Sequence, residues 1–529
     1  MEPIGCRVVR SRTVAALVAV GLLASQDAAA DGMPWQRMPD RRHTKVCDDA
    51  RPRPHERAVL PCLLLERSLG PPPAGLCGSA TLHTQRRAPR PNVVLIVTDD
   101  QRWDTLEQMP NVMDRLVDEG VRFTNGFVPT PLCGPSRASL LTGRYAHSTG
   151  VTDNGLAGFD ATHTIATSLR EAGYATAMIG KYLNGTETNG AAVQPGWDRW
   201  GVFVRGGYVD YVLNDDGALV VRGDEEGDYS TDVLGDMAVE FIVEHAHRRP
   251  FFLLFAPFAP HGSPGGLPLA AARHAGRRSG VPPLRPIAYH EQDVSDKPLY
   301  VRWVKFVRQN AFLPAWVARM DAYRIASLET LLAVDDAVAS ILDTLDALSL
   351  ADDTLVIFTS DNGFSLGEHW LYWKGNPYDE SVRVPLVMRY PRWIDSSRED
   401  DRLVLNLDLA PTIAELAGAR LATAPDGESL VSLVCDDASG REDFLVEYLI
   451  PLSLDGMPSY TGVRSKDWSY VRYESDDPRA QRRFDELYDL ASDTGQLDNV
   501  LRVAPDDPAV QATRARLEER RLELLAGPD

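Results

Sequence analysis

Four short apolar runs stand out along the chain because they do not alternate with polar residues. They are Asn92-Val93-Val94-Leu95-Ile96-Val97-Thr98, Ala175-Thr176-Ala177-Met178-Ile179, Phe251-Phe252-Leu253-Leu254-Phe255-Ala256-Pro257 and Thr354-Leu355-Val356-Ile357-Phe358-Thr359-Ser360. A strand with one wet face alternates with a period of two. A run that is apolar throughout suits a strand buried on both faces of a parallel sheet. Between the third and fourth runs, Ile325, Leu328, Leu332, Val334, Val338, Ile341, Leu342 and Leu345 recur at helical spacing. That spacing predicts a core-facing amphipathic helix over 323–348, in which Asp335 and Asp336 are structural. From about Leu421 the pattern turns to short strands such as Trp468–Tyr473, predicting a small antiparallel sheet with a terminal helix over 512–525. No internal repeat is apparent.

With 529 residues the chain exceeds one ordinary core, so a large domain with a smaller one is expected. A hydrophobic content of 44% and a charged content of 25% are those of a soluble globular protein. The net charge of −20 argues against nucleic acid and against broad capture of polyanions, so an anionic substrate needs a local basic pocket. Arg7, Arg10 and Arg12 precede the apolar run Val14–Ala24, and Ala28-Ala29-Ala30 follow it. This is the layout of a signal peptide over 1–30, too short to span a bilayer, and it implies an exported mature protein, whether secreted, periplasmic or lysosome-like. Residues 31–90 are rich in Arg and Pro without sustained periodicity and read as a linker or loosely ordered extension. Of six cysteines, Cys6 would leave with the leader; Cys47, Cys62, Cys77 and Cys435 have a disulfide-permissive context but no pairing readable from spacing.

The sixth, Cys133, lies in Pro131-Leu132-Cys133-Gly134-Pro135-Ser136-Arg137-Ala138-Ser139-Leu140-Leu141-Thr142-Gly143-Arg144. Pro135 marks a helix start, since its missing N–H costs nothing at the first helical position. Cys133 would then project from a loop onto the positive helix end, with Arg137 one turn on. Such a setting lowers a thiol pKa and attracts anions. A catalytic thiol would also need a histidine base that no fixed spacing supplies, and a lone cysteine is ordinarily a buried structural residue. Two of the apolar runs end in carboxylates or amides, Asp99-Asp100-Gln101 and Asp361-Asn362-Gly363. Ligands in open α/β sheets collect beyond strand carboxyl ends, and adjacent carboxylates there repel unless a cation neutralises them. Two such edges can build a hard-cation site of Ca²⁺ type, although most Asp-Asp pairs are solvated turns.

Taken as one pattern, Cys133-x-Pro135-Ser136-Arg137 with Leu141-Thr142-Gly143-Arg144 resembles the signature of the type I sulfatases. The resemblance runs from Pro91 to about Val500. It implies an α/β fold of the alkaline-phosphatase type, with a large mixed, mostly parallel sheet flanked by helices over 91–420. A small C-terminal subdomain, an antiparallel sheet and a helix, would take 421–529. It implies a sulfuric ester hydrolase in which a formylglycine-generating enzyme has oxidised Cys133 to the aldehyde formylglycine. It also implies Ca²⁺, or Mg²⁺ in its place, held by Asp99, Asp100, Asp361 and Asn362 with residue 133 at the open position. Lys181 of Gly180-Lys181-Tyr182-Leu183-Asn184 matches the family's sulfate-binding lysine, and His261 of Ala259-Pro260-His261 matches its Pro-His as sulfate ligand and proton donor. Standing alone, a lysine at a strand end is usually solvated and a single histidine usually structural. Lys374 fits a lysine that contacts the sulfate, and His369 of Gly367-Glu368-His369 is a second-tier substrate contact.

Many arylsulfatases carry a histidine two residues after the lysine where this chain has Leu183, which leaves the base of the second half-reaction open. The Gly-Lys-Tyr-Leu-Asn form is similar to the glucosamine-6-sulfatase and extracellular heparan-endosulfatase branch, and tilts the substrate toward a 6-O-sulfated N-acetylglucosamine or related glycan, with aryl sulfates as convenient alternatives. In the mechanism so implied, one hydroxyl of the hydrated aldehyde attacks sulfur, helped by the metal and Arg137. His261, with Lys374, protonates the leaving alcohol. The Asn184-Gly185-Thr186 sequon is discounted beside that lysine. Arg273, Arg277, Arg278 and Arg285 lie in a poorly periodic stretch, either a substrate-selecting rim or a solvated basic loop. Three rivals are a phosphonate monoester or phosphodiester hydrolase of the same superfamily, a metal-independent cysteine hydrolase, and a non-catalytic sulfated-glycan binder with Cys133 unmodified.

Overall fold

The computed structural model describes residues 90–527 apart from 187–189, 264–265, 312, 395, 437–438, 453–455 and 475–482. The leader expected over 1–30, nearly all of the 31–90 segment, and Cys47, Cys62 and Cys77 lie outside the described residues. In chain order the strands begin β1 (Asn92–Thr98), β2 (Val121–Phe127), β3 (Ala175–Gly180), β4 (Arg199–Arg205), β5 (Val212–Asp215) and β6 (Ala218–Val221). They continue β7 (Phe251–Ala256), β8 (Thr354–Ser360), β9 (Ser365–Leu366), β10 (Tyr372–Trp373), β11 (Leu386–Arg389) and β12 (Arg398–Leu405). The last four are β13 (Asp443–Leu452), β14 (Pro458–Ser465), β15 (Trp468–Glu474) and β16 (Arg483–Asp489).

Ten of them form one sheet in the order β12-β2-β11-β8-β1-β7-β3-β4-β5-β6. Its middle, β8-β1-β7-β3-β4, is parallel throughout. The four non-alternating runs are thus adjacent strands of one parallel core. Their apolar residues split between the two faces: Val93, Leu95 and Val97 of β1 pack into one cluster, Val94 and Ile96 into the other. Helices Cys133–Thr142, Ile165–Glu171 and Leu409–Ala417 cover the first face, and Ser230–His245 with Leu313–Ala347 cover the second. Burial on both sides is why these strands show no period of two.

The long helix begins at Leu313 rather than Tyr323. Its additional turns bury Trp316 and Met320 against Phe364, Leu366 and Tyr372, a local cluster that an eight-residue apolar stripe does not announce. Asp335 is structural as expected: it accepts from the backbone N–H groups of Asn111 and Val112 at 3.0 and 2.9 Å and so caps the segment at Pro110. The four-stranded antiparallel sheet β13-β14-β15-β16 carries the terminal helix Pro508–Ala526. Among the described residues, no helix is long and apolar enough to cross a membrane.

Gly180, the last residue of β3, sets the height at which Lys181 leaves the sheet. Its φ is 114°, and a Cβ there would run into the backbone carbonyl of Ala256 on β7. Gly180→Ala meets both a strained backbone and an immovable neighbour, so it is expected to cost about 2–4 kcal/mol, read as a lower denaturant midpoint at unchanged m-value.

Candidate active site

β1 and β8 pair in parallel with Thr98 opposite Ser360, so Asp99-Asp100 and Asp361-Asn362 emerge side by side at one sheet edge. Asp100 turns there through a left-handed φ of 69°, and its N–H donates to Asp361 Oδ1 at 3.0 Å. The Cys133–Thr142 helix points its first residue into the same place. Cys133 Sγ is 3.4 Å from Asp99 Oδ1 and 4.0 Å from Asp100 Oδ1. One ligand atom each from Asp99, Asp100, Cys133 and Asp361 falls within a mutual 4.8 Å, and all four residues are buried.

The cations close in from other elements. Lys181, leaving β3, places Nζ 2.6 Å from Asp99 Oδ2. Arg137, one turn into the helix, donates from Nε to Asp361 Oδ2 at 2.8 Å and from Nη1 to the Lys181 carbonyl at 2.6 Å. Lys374 pairs with Asp100 Oδ1 and lies 2.7 Å from Cys133 Sγ. His261, which follows the cis Ala259–Pro260 peptide after β7, turns Nδ1 to the Gly262 carbonyl at 2.8 Å and Nε2 toward Asp100 Oδ2 at 3.8 Å. Every residue expected at the chemical centre is therefore brought to one point.

Those charges set the titration of the group. Burial opposes ionisation of Asp99, yet Lys181, His261, Arg137 and Lys374 together hold its carboxyl below the usual range. Burial, then the charge of Asp99, pushes Asp361 up. The thiol expectation is corrected: burial and then the Asp361 carboxylate push Cys133 up, outweighing Lys181 and Lys374. A helix end alone does not lower a thiol pKa when the residue is sealed from water beside carboxylates. The helix itself starts at Cys133, which puts Pro135 third in it; all of the first four N–H groups lack intrahelical partners, so proline remains costless there.

The donor set fits a hard divalent cation. It is rich in carboxylate and amide oxygen, and Asp100 Oδ2 and Asn362 Oδ1 are buried with no hydrogen-bond partner. Two orphaned acceptors aimed into one buried cluster are what Ca²⁺ or Mg²⁺ would satisfy.

His369 is placed differently from the others. It is 1% exposed, with Nδ1 2.7 Å from Glu291 Oε2 and its ring stacked on Tyr378 at 4.0 Å. Of the stretch left open between a rim and a solvated loop, Arg273 pairs with Asp232 and Asp336, Arg285 with Asp321, and Arg278 donates to the Gln108 carbonyl. Sequence reasoning missed Asn406, whose Nδ2 holds Ser136 Oγ at 2.9 Å while Ser136 bonds the Asp361 carbonyl. The available signal was Asn406 ending the apolar run of β12, the rule that found Asp99 and Asp361.

A ten-stranded, mostly parallel sheet with helices on both faces, beside a small antiparallel sheet, is the alkaline-phosphatase-like fold that solved sulfatase structures share. The sulfatase family model matches residues 91–419, and a model of the N-sulphoglucosamine sulphohydrolase C-terminal region matches 367–525. A Bacteroides thetaiotaomicron N-acetylglucosamine-6-O-sulfatase is 28% identical over 480 residues, 78% of this chain and 82% of that protein. The human N-acetylglucosamine-6-sulfatase is 30% identical over 468 residues, 78% of this chain and 81% of its own. A solved structure described as a complex with its substrate D-glucosamine-2-N,6-O-disulfate superposes with a TM-score of 0.69 at 26% identity, covering 82% of this chain and 97% of that one. The chain belongs to the sulfatase family, enzymes that hydrolyse sulfate esters.

The Glu291–His369 pair gives a pH signature separate from the Asp99, Asp100 and Asp361 cluster. Burial pushes Glu291 up to about 8 and His369 down to about 3. Lys297 opposes the first shift from 3.5 Å, but its ammonium is also held by the Gln496 and Leu497 carbonyls. A carboxyl with a raised folded pKa favours folding fully only below its unfolded pKa, and that advantage is lost as pH climbs toward 8. Glu291→Gln is therefore expected to gain about 1 kcal/mol or more over the parent at pH 8 and little at pH 4.5, measured by urea denaturation at both.

Proposed function

We propose that this sulfatase hydrolyses a sulfate monoester on a glucosamine-type sugar, at the 6-position, using residue 133 in its formylglycine form. The observation that carries the reading is the position of Cys133: its side chain sits between Lys374 Nζ at 2.7 Å and Asp99 Oδ1 at 3.4 Å, at the head of a helix. The names of the relatives and the Gly180-Lys181-Tyr182-Leu183-Asn184 motif support the sugar assignment.

Asp99, Asp100, Asp361 and Asn362 would hold Ca²⁺, or Mg²⁺, which supplies positive charge to the nucleophile and to the sulfuryl oxygens. Formylglycine at 133, made by a formylglycine-generating enzyme, supplies a geminal diol in place of a thiol. The rest falls to this chain. Lys181 and Lys374 present ammonium groups to the sulfate, and with Arg137 they offset the charge spread over its oxygens as the S–O bond breaks. His261 is oriented by the Gly262 carbonyl so that Nε2 faces the cluster, where it can deliver a proton to the departing alcohol. Leu183 is buried and contributes no base, and His261, once it has given its proton to the departing alcohol, can accept the proton removed as sulfate is released. An export leader over 1–30 accords with the relatives named as extracellular sulfatases.

Active material should yield a tryptic Cys133 peptide in which CH2–SH has become CHO; a homogeneous thiol in fully active enzyme overturns the reading. Cys133→Ala is expected to lose about 10³-fold or more in kcat/KM on glucosamine 6-sulfate. Stripping with a chelator should lower Tm, and Ca²⁺ at about a hundred times its Kd should return about 2.7 kcal/mol of stability together with turnover. Faster hydrolysis of phosphonate monoesters or phosphodiesters than of sulfate esters would favour the neighbouring activity of the superfamily instead.

A further inference from the structure

The segment that carries Lys374 has an unusual backbone. His369, Trp370 and Trp373 adopt φ values of 50°, 66° and 104°. A bulky aromatic residue at φ above 100° is an outlier, and outliers persist where the surrounding structure over-determines them. Packing accounts for Trp373 only in part. Its ring meets Phe364 at 6.0 Å and Tyr372 at 6.5 Å, both tilted, and the residue stays half-buried while Tyr372 beside it is buried. Its indole N–H makes no hydrogen bond among the described residues.

What the odd backbone accomplishes is a placement. The Trp373 ring stands edge-on to His261 at 6.5 Å, and the Lys374 ammonium lies 5.4 Å from its centroid. The indole thus borders both the group that would hold the sulfate and the group that would protonate the leaving oxygen. Whatever joins that oxygen to the rest of the substrate starts beside this ring. Arginines that could have gripped a sugar by charge are occupied, as the pairs of Arg273 and Arg285 with Asp232, Asp336 and Asp321 record. An uncharged aromatic face attracts the polarised C–H face of a pyranose without disturbing the ionic balance beneath it.

We propose that Trp373 is a specificity-determining residue, the wall on which the pyranose ring bearing the 6-sulfate stacks. This rests on the sugar-sulfatase reading above and names how that site chooses its leaving group. Trp373→Leu keeps apolar bulk and removes the ring; Trp373→Phe keeps a ring. The assay is kcat and KM for glucosamine 6-sulfate, with the inhibition constant of inorganic sulfate, which reports Lys181 and Lys374 but has no sugar. Trp373→Leu should raise KM for the sugar sulfate by about tenfold, Trp373→Phe by about threefold or less, and sulfate inhibition should shift by less than about twofold in both. Should the Leu variant fold poorly by thermal melting, Trp373→Gln carries the same expectation. An unchanged KM in the ringless variants overturns the proposal. So does a parallel rise in KM and in the sulfate inhibition constant, since the ring would then only prop Lys374. A parent enzyme inert toward glucosamine 6-sulfate yet active on an aryl sulfate overturns the sugar reading itself, a result distinct from either.

Discussion

The structure depends on burying three carboxylates together. Asp99, Asp100 and Asp361 are 0%, 4% and 0% exposed, and no chain folds with such a group uncompensated, because each buried charge costs several kcal/mol until it is paired. The compensation comes from Arg137, Lys181, His261 and Lys374, which are scattered over more than half of the described sequence. The sheet order explains how they meet. β8, β1, β7 and β3 are consecutive and parallel, and at their carboxyl ends they deliver Asp361-Asn362, Asp99-Asp100, His261 and Lys181 respectively. One edge of four strands supplies the anions and half of the cations; the Cys133 helix and the β9–β10 hairpin supply the remainder.

This arrangement decides what could be read from the sequence. The four core strands were legible because burial on both faces leaves an unbroken apolar run, and the carboxylates were legible because they end such runs. Cys133 and Arg137 were legible only as part of a longer motif, since Cys-x-Pro-x-Arg has no local physics that singles it out. The thiol's acidity was misjudged from one local feature, the helix end, when the deciding terms were burial and a carboxylate from β8 more than 200 positions away. The basic stretch 273–285 stays open between two readings for a similar reason: whether an arginine faces substrate or Asp232 is settled by helices that its own neighbours in sequence do not reveal. Asn406, by contrast, obeyed the rule already in use and was overlooked because its strand, β12, is half polar.

The smaller sheet bears on the site through Lys374. Tyr460 on β14 donates to the Gly375 carbonyl at 2.8 Å, and Arg464 grips Asp379 at 3.1 and 2.9 Å. The carboxylate of Glu486 on β16 accepts the hydroxyls of Tyr378, Tyr473 and Tyr488 at 2.9, 2.8 and 2.6 Å. All three contacts fall on Gly375, Tyr378 and Asp379, within five residues after Lys374 and just beyond the strained turns of 369–373. A segment in unfavourable φ space must be held from outside: Glu291 meets His369 Nδ1 at 2.7 Å and its carbonyl accepts from the Trp370 indole at 2.8 Å, while β14 and β16 fix the residues that follow Lys374. The family-model matches reflect the same continuity, since the one for the C-terminal region already begins at residue 367, ahead of Lys374.

Chemistry and choice are then divided along the chain. A sulfate group is the same tetrahedral anion on any leaving group, so on the function proposed above the cluster at the β8-β1-β7-β3 edge would bind and activate it without telling a sugar from a phenol. Discrimination has to come from surfaces beyond the bridging oxygen, and these are built by loops and the β9–β10 hairpin rather than by the parallel strands. The strands are constrained by packing on both faces and by the charge balance at their ends, where any change is paid for in stability. The hairpin packs Leu366 and Tyr372 against Trp316 and Met320 but leaves Trp373 half-buried, and it meets the charge balance through Lys374. On the proposal made for Trp373, a fold organised in this way keeps one reaction and sets its substrate through side chains that lie beyond the bridging oxygen.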